Sequence, residues 1–267
     1  MYIMSPVLQL QKYIKNTYDK EQQDKLKRYL VQPRLRGLQH LVYKTLFGNN
    51  LKALAVLNMT DKWSSHWYAQ HYETHFASLR KKPLNILEIG IGGYKDPELG
   101  GGSLRMWRTY FPNSKIYGLD IYDKSFHQEK RIEIFQGSQV DTEFLEKIVD
   151  EIGTIDIIID DGSHVNEHII TTFKFLFPRL EENGIYVIED TQTSYWKSFG
   201  GTSKDFNSLD TSMGFTKSLI DSLNYEEFDL ENYEPSYYDK HIVGMHFYHN
   251  IVFINKGLNQ EGSNWKK

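Results

Sequence analysis

The apolar stretch IDIIIDDGSH, residues 155–164, ends in two adjacent carboxylates and a histidine. Asp160 and Asp161 close the apolar run, and His164 follows three positions after Asp161. Carboxylate oxygens bind hard cations such as Mg²⁺, but aspartate and serine are also preferred at helix starts, so helix capping is the alternative. A histidine, whose unperturbed pKa is about 6.5, suits a general base at neutral pH; the alternative is a hydrogen-bonded structural histidine. The stretch therefore carries groups for cation binding and proton transfer.

A second apolar stretch, GIYVIED at residues 184–190, also ends in two acids, Glu189 and Asp190. Helix capping after one strand does not explain why another strand ends in the same way. The chain has no cysteine, which excludes disulfides, thiolate metal ligands and a cysteine nucleophile. Oxygen ligands without thiolates favour Mg²⁺, Mn²⁺ or Ca²⁺ over zinc.

A glycine-rich turn follows an earlier apolar run, in the stretch LEIGIGGY. It does not match the dinucleotide fingerprint G-x-G-x-x-G, because a third glycine and a tyrosine follow the first two glycines. Glu88, just before the turn, would repel a phosphate but suits an ammonium group. Asp120, at the end of the next apolar run, can accept hydrogen bonds from both ribose hydroxyls. Both acids fit a nucleoside with a cationic tail, S-adenosylmethionine. The predicted cofactor contacts are Glu88, Gly90, Gly92, Ser103, Asp120, Ser138 and Gln139.

Short apolar runs alternate with helical patterns from Pro83 onward, which predicts strands alternating with helices. That alternation is typical of a doubly wound, mostly parallel α/β sheet, in which ligands bind beyond the carboxyl ends of the strands. A last helix over 212–224 and one long final strand over 244–257, a candidate antiparallel edge, complete the pattern. The predicted strands are 84–90, 115–121, 132–137, 155–160 and 184–190, and the helices between them are 103–111, 141–152 and 166–180.

The N-terminal part differs in composition and carries apolar residues at helical spacing among lysines and glutamines. We therefore predict an N-terminal helical segment over residues 1–58 and the α/β domain over 59–267. Amphipathic helices of this kind pack on another surface, which favours a structural or oligomer-forming segment, and a homo-oligomer is expected. A direct role of these helices in the site is the alternative.

The charge balance excludes several classes of partner. The sequence of 267 residues has 31 Lys and Arg against 35 Asp and Glu, a net charge of −4, so nothing indicates nucleic acid. A small acceptor is the better expectation. No window reaches the ~20 apolar residues of a membrane span, and the N-terminus does not resemble a signal peptide. We therefore expect a cytoplasmic protein without a membrane partner.

Five motifs in order resemble the class I methyltransferases that tailor macrolide sugars, the demethylmacrocin and mycinamicin O-methyltransferases. They are LEIGIGGYKDPELGGGSLRMW, YGLDIYDKS, IIIDDGSHVNEH, GIYVIEDTQTSYW and HFYHNIVFINKG, and the resemblance covers about residues 58–257. It implies a Rossmann-like class I fold and a sugar O-methyltransferase that uses S-adenosylmethionine and a divalent metal, usually Mg²⁺. It also implies that Asp161 and Asp190 hold the metal and that His164 is the base.

The strand order of this class places the fourth and fifth strands side by side, with their ends about 4.8 Å apart. Asp161 and Asp190 could then converge on one Mg²⁺ or Mn²⁺ ion, and Glu189 could add a ligand or point to the other face. The acceptor would be a glycosylated small molecule whose hydroxyl loses its proton to His164. Two alternatives stay open: a non-sugar hydroxyl, catechol-like or polyketide, and a relative of the cephalosporin-hydroxylase type that is not a methyltransferase.

The segment 191–210 after the fifth strand mixes aromatic, glycine and polar residues. It suits a mobile lid in which Tyr195 and Trp196 stack on a sugar face. A plain surface loop is the alternative, and spacing alone does not decide between them.

Overall fold

The protein is described by a computed structural model that covers residues 9, 13, 14, 16–30 and 32–263. The α-helices whose bounds are fully described are α1 (Lys20–Leu30), α2 (Pro33–Phe47), α3 (Leu51–Leu57), α4 (Ala69–Phe76), α5 (Gly102–Tyr110), α6 (Thr142–Ile152), α7 (Asn166–Leu176), α8 (Ser212–Ser218) and α9 (Tyr237–His241). Its strands are β1 (Asn85–Ile89), β2 (Lys115–Asp120), β3 (Ile132–Gln136), β4 (Ile155–Asp160), β5 (Leu180–Glu189), β6 (Ile242–Tyr248) and β7 (Ile251–Lys256).

The described strands form a seven-stranded mixed sheet in the order β3-β2-β1-β4-β5-β7-β6. The pairs β2/β3, β1/β4 and β4/β5 are parallel, and β5/β7 and β6/β7 are antiparallel. Strand order reverses at β1, as it does in doubly wound sheets. The predicted fold class, a doubly wound and mostly parallel sheet, is confirmed.

The C-terminal part of the sheet differs from the prediction of one long final strand. The stretch over 244–257 is a hairpin, in which β6 and β7 are joined at His249 and Asn250. Asn250 has φ +65°, a left-handed conformation that asparagine tolerates better than most residues. The predicted helix over 212–224 also ends early, since α8 stops at Ser218 and a 3₁₀ turn, Asp221–Glu227, follows.

The structure divides into two compact units, Met1–Leu84 with Ile91–Gln136, and Asn85–Gly90 with Gly137–Lys267. The core of the first unit is aromatic: Trp107 of α5 is fully buried and makes edge contacts with Tyr72 and Phe76 of α4. The predicted boundary between residues 58 and 59 remains a prediction. No helix among the described residues is long and apolar enough to cross a membrane.

The core of the second unit forms around β4, whose isoleucines at 157, 158 and 159 are fully buried. Buried strands in a parallel sheet are near-continuous apolar runs, which is why this one contains so many isoleucines. Phe173 of α7 packs edge-on against Tyr186 of β5 at 5.0 Å between ring centroids. This packing fixes the end of β4, from which the acidic loop leaves.

Candidate active site

The loop from β4 to α7 carries the first acid of the candidate site. The Asp161 backbone N–H donates to the Ile89 carbonyl oxygen at 3.0 Å, which draws the loop onto the end of β1. A Cβ atom on Gly90 would lie 2.0 Å from the Asp161 carbonyl oxygen, and Gly90 has φ +90°. Only glycine fits this close approach. Gly90 was predicted as a cofactor contact, and the structure gives it the additional role of seating the Asp161 loop.

Three side chains of the second unit converge at the carboxyl ends of β4 and β5. Asp161, His164 and Asp190 each offer one ligand atom, and these atoms all lie within 4.8 Å of one another. His164 Nε2 lies 3.6 Å from Asp190 Oδ2, and both side chains are partly exposed. Because β4 and β5 are parallel neighbours, with Asp160 opposite Ile188, both strands deliver their next residues to the same edge.

Two of these residues have strained backbones. His164 has φ +57° and Asp190 has φ +54°, in the left-handed region that side chains other than asparagine and aspartate rarely adopt. Such strain is retained where the surrounding structure enforces it, and it clusters at functional sites. The αL backbone at both positions accompanies the convergence of the side chains, while seven other non-glycine residues among those described also have positive φ.

Helix capping does not account for the acids. The N-cap residue of α7 is Val165, and no side chain makes a capping hydrogen bond there. Asp160 is instead buried and accepts hydrogen bonds from Gln139 Nε2 and the Gly162 N–H. Burial raises the pKa of Asp160 to about 6, against the lowering effect of the nearby His164.

Glu189 takes a different position from Asp190. It is the last residue of β5, 2% exposed, and pairs with Ile251 of β7. Among the described residues, its carboxylate is not part of the group that converges with Asp161. Alternation along a strand turns neighbouring side chains to opposite faces. The assignment of Glu189 as a metal ligand therefore remains a prediction.

The predicted cofactor contacts divide between the two units. Glu88, Gly90, Ser138 and Gln139 lie in the second unit, and Gly92, Ser103 and Asp120 lie in the first. Glu88 is fully buried in β1, and Ser103 is buried in α5. Ser138 accepts a hydrogen bond from the Val140 N–H. Their joint role in binding a cofactor remains a prediction.

Asp120 is the best-defined of these residues. Its Oδ2 accepts from the Ile91 N–H and its Oδ1 from the Tyr122 N–H, each at 2.9 Å. One of these donors belongs to the turn after β1 and the other to the loop after β2, so the carboxylate is held from both sides. Each carboxylate oxygen can accept a second hydrogen bond, which leaves capacity for a pair of hydroxyl groups.

Three basic residues that the sequence did not reveal hold the loop of residues 96–100 in the first unit. Lys124 Nζ donates to the carbonyl oxygens of Asp96 and Leu99, at 2.6 and 3.1 Å. Arg105 donates to the Gly100 carbonyl oxygen at 2.9 Å, and His127 Nε2 lies 3.3 Å from the Leu99 carbonyl oxygen. Their contacts join residues 5 to 28 positions apart and follow no strand or helix period.

His127 makes the free energy of unfolding depend on pH. Burial, and then the Arg105 charge, lower the pKa of His127 to about 3. In the unfolded chain, His127 binds a proton as the pH falls below about 6.5. In the folded chain it stays neutral until the pH is much lower. This contribution to stability is therefore complete above about pH 6.5 and is lost as the pH falls. We expect His127 to account for a loss of about 2 kcal/mol in the free energy of unfolding between pH 7 and pH 5.

Urea unfolding at both pH values tests this expectation in wild type and in His127→Gln, whose amide can still donate and accept. Between pH 7 and pH 5, the free energy of unfolding of the variant should fall by about 2 kcal/mol less than that of wild type. An equal loss in wild type and His127→Gln would contradict the assignment.

The segment after Asp190 is tied to α7. Asn166, fully buried at the start of α7, donates through Nδ2 to the carbonyl oxygens of Thr193 and Phe199, at 3.1 and 2.9 Å. Tyr195 and Trp196 stay 40% and 49% exposed. Residues 191–199 therefore form an anchored pair of short 3₁₀ turns with exposed aromatic rings, and the predicted role as a lid remains a prediction.

The chain is similar to known O-methyltransferases. It is 51% identical over 198 residues, 74% of this chain and 50% of the relative, to mycinamicin VI 2''-O-methyltransferase from Micromonospora griseorubida. It is 49% identical over 215 residues, 80% of this chain and 54% of the relative, to demethylmacrocin O-methyltransferase from Streptomyces fradiae. The chain thus spans about half the length of these relatives. No protein-family model matches it.

A solved structure supports the same relationship. The methyltransferase MycE of the mycinamycin biosynthetic pathway, in complex with Mg, SAH and mycinamycin VI, matches with a TM-score of 0.77 at 48% identity. The match covers 81% of this chain and 56% of that chain. The resemblance noted in the motifs is confirmed. Over the matched region, the chain is therefore similar to macrolide-sugar O-methyltransferases.

Proposed function

We propose that this chain is an S-adenosylmethionine- and divalent-metal-dependent O-methyltransferase that acts on a sugar hydroxyl of a glycosylated natural product. The observation that carries the proposal is the convergence of Asp161, His164 and Asp190. Two carboxylates and one imidazole, without thiolates, fit Mg²⁺ or Mn²⁺. MycE, with which the chain shares nearly half its residues over the matched region, is described in complex with Mg and SAH.

The chain's own residues would hold the reactants and move one proton. Asp161 and Asp190 would hold the cation, with Glu189 as a further candidate ligand. His164 would take the hydroxyl proton at Nε2, and Asp190 Oδ2, 3.6 Å away, would stabilise the positive charge that the imidazole gains. When bound, the cation supplies charge stabilisation for the acceptor oxygen, and S-adenosylmethionine supplies the methyl group.

The predicted cofactor contacts would each supply one interaction. Asp120, fixed by two backbone N–H donors, suits the two ribose hydroxyls. Glu88 would attract the ammonium group of the methionine moiety, and the backbone after β1 would approach the cofactor at Gly90 and Gly92. The exposed rings of Tyr195 and Trp196 would pack on the acceptor.

The remaining expectations concern the partners and place of action. We propose a homo-oligomer, because Leu38, Leu41, Val42 and Leu46 of α2 are between 39% and 65% exposed and follow helical spacing. We further propose that the protein acts in the cytoplasm on a small-molecule acceptor, without nucleic acid or membrane partners.

Labelled methyl transfer tests the proposal. The protein is incubated with labelled S-adenosylmethionine, Mg²⁺ and a panel of glycosylated natural products and nucleotide sugars, each beside its matched sugar-free form. We expect label only on the glycosylated members, and loss of transfer when EDTA is present. Calorimetry with S-adenosylmethionine, with and without Mg²⁺, measures cofactor binding separately.

Three results would contradict the proposal in different ways. Absence of cofactor binding would exclude a methyltransferase. Full activity in EDTA would exclude the metal. Equal methylation of the glycosides and their sugar-free forms would show that the acceptor is a non-sugar hydroxyl.

A further inference from the structure

The Gln139 side chain makes hydrogen bonds to the loop that carries Asp161 and His164. It is 7% exposed and lies between β3 and α6. Its Oε1 accepts from the Ser163 N–H at 2.8 Å, and its Nε2 lies 3.2 Å from Asp160 Oδ1 and 3.1 Å from Thr172 Oγ1. The amide orientation follows from chemistry, because a backbone N–H can only donate and an ionised carboxylate can only accept.

These hydrogen bonds bracket the acid of the candidate site. Asp160 precedes Asp161, and Ser163 comes directly before His164, so one amide holds the loop on both sides of Asp161. The bond to the Ser163 N–H lies immediately before the strained αL backbone of His164. Such a conformation persists only when neighbouring contacts enforce it, and Gln139 supplies one of them.

Gly162 gives an independent indication of the same contact. A Cβ atom at this position would lie 2.3 Å from Gln139 Oε1 and 3.0 Å from Ile89 Cγ2. The loop can settle onto the Gln139 amide only because position 162 has no side chain. The close contact between the loop and Gln139 therefore depends both on the glutamine amide and on the absence of a side chain at Gly162.

We infer that Gln139 is a positioning residue of the metal site: its amide holds loop 160–163 so that Asp161 and His164 reach Asp190. The inference rests on the proposed function, because it presumes a cation between these side chains. It differs from the prediction that Gln139 contacts the cofactor, since both donors and one acceptor site of its amide are already used within the second unit.

The test measures Mn²⁺ and S-adenosylmethionine dissociation constants on the full chain, by calorimetry and without acceptor. Gln139→Met keeps the volume and removes the hydrogen bonds. Residues that orient metal ligands typically change metal affinity by about 10- to 100-fold, and we expect a weakening of Mn²⁺ binding in that range. S-adenosylmethionine binding should change by less than about threefold, because the altered residue would not touch the cofactor.

A matched control and a rescue separate positioning from general packing. Thr172→Val removes the third partner of the amide, together with the contacts of Thr172 Oγ1 with the carbonyl oxygens of Gln139 and His168, and should leave Mn²⁺ affinity within about threefold. Gln139→Glu places a second carboxylate against Asp160 and should weaken Mn²⁺ binding, although it still accepts from the Ser163 N–H. Adding Asp160→Asn restores a donor opposite the new carboxylate, so the double variant should recover most of the affinity.

Each outcome decides one point. Unchanged Mn²⁺ affinity in folded Gln139→Met overturns the inference and leaves the proposed function standing. A changed cofactor affinity with unchanged Mn²⁺ affinity assigns the side chain to the cofactor instead. Should Gln139→Met fail to fold, the rescue decides, and a double variant as weak as Gln139→Glu overturns the inference. A wild-type chain that binds neither Mn²⁺ nor S-adenosylmethionine refutes the proposed function itself.

Discussion

Asp161→Asn is expected to lower methyl transfer by about 10³-fold or more, because metal-assisted charge stabilisation contributes several kcal/mol to a reaction of this type. Asparagine has nearly the same shape but lacks the negative charge, so it is a poor ligand for Mg²⁺. The backbone bond from the residue at position 161 to the Ile89 carbonyl oxygen does not depend on the side chain. The variant should therefore fold normally and lose the metal.

Steady-state kinetics across an Mg²⁺ titration, together with the Mn²⁺ dissociation constant, measure this effect. Asp156→Asn is the matched control: Asp156 lies near the other end of β4, where its Oδ2 accepts from the Asn85 N–H, and asparagine keeps an acceptor there. Its turnover and metal affinity should equal those of wild type. An Asp161→Asn variant that remains fully active in the presence of a chelator would show that the metal assignment is wrong.

The sequence located the acids of the candidate metal site because strand ends are visible in it. The buried isoleucines of β4 and the apolar run of β5 both stop at acids, and the parallel pairing of these strands brings Asp161 and Asp190 together. Hydrophobic periodicity therefore identified the strands, and the resemblance supplied their order.

The same reasoning could not find contacts made by single side chains across loops. Gln139 and Ser163 are 24 positions apart, and nothing in the sequence indicates that the amide of one accepts from the backbone of the other. Gly90 was recognised as a special position, but the neighbour that excludes a side chain there, the Asp161 carbonyl oxygen, is known only from the fold. The final hairpin was missed because its turn consists of His249 and Asn250, without glycine or proline.

His164→Asn is expected to reduce kcat by about 10²- to 10⁴-fold, the usual contribution of a positioned general base. Asparagine cannot accept a proton at neutral pH, yet it tolerates φ +57° better than histidine does. The substitution therefore removes the base while relieving backbone strain. We expect the melting temperature to stay the same or rise, as it does when a strained functional residue is replaced.

The metal affinity of His164→Asn distinguishes two roles for the imidazole. His164 lies within reach of the ion that Asp161 and Asp190 would hold, so it could act as a third ligand instead of a base. If the imidazole acts as a base, its loss should change the Mn²⁺ dissociation constant by less than about threefold and lower kcat strongly. If the imidazole acts as a ligand, its loss should weaken Mn²⁺ binding, and excess Mn²⁺ should restore turnover.

His168→Gln provides the matched control for this experiment. His168 lies four positions further on, in α7, where its Nδ1 is 2.8 Å from Ser163 Oγ, and it is not part of the converging group. Its kcat should remain within about threefold of wild type, as expected of a residue outside the reaction. Equal losses in both variants would show that disturbing the loop, and not removing a base, explains the effect at position 164. A loss confined to His164→Asn, at unchanged Mn²⁺ affinity and with no recovery in excess metal, assigns the proton transfer to His164.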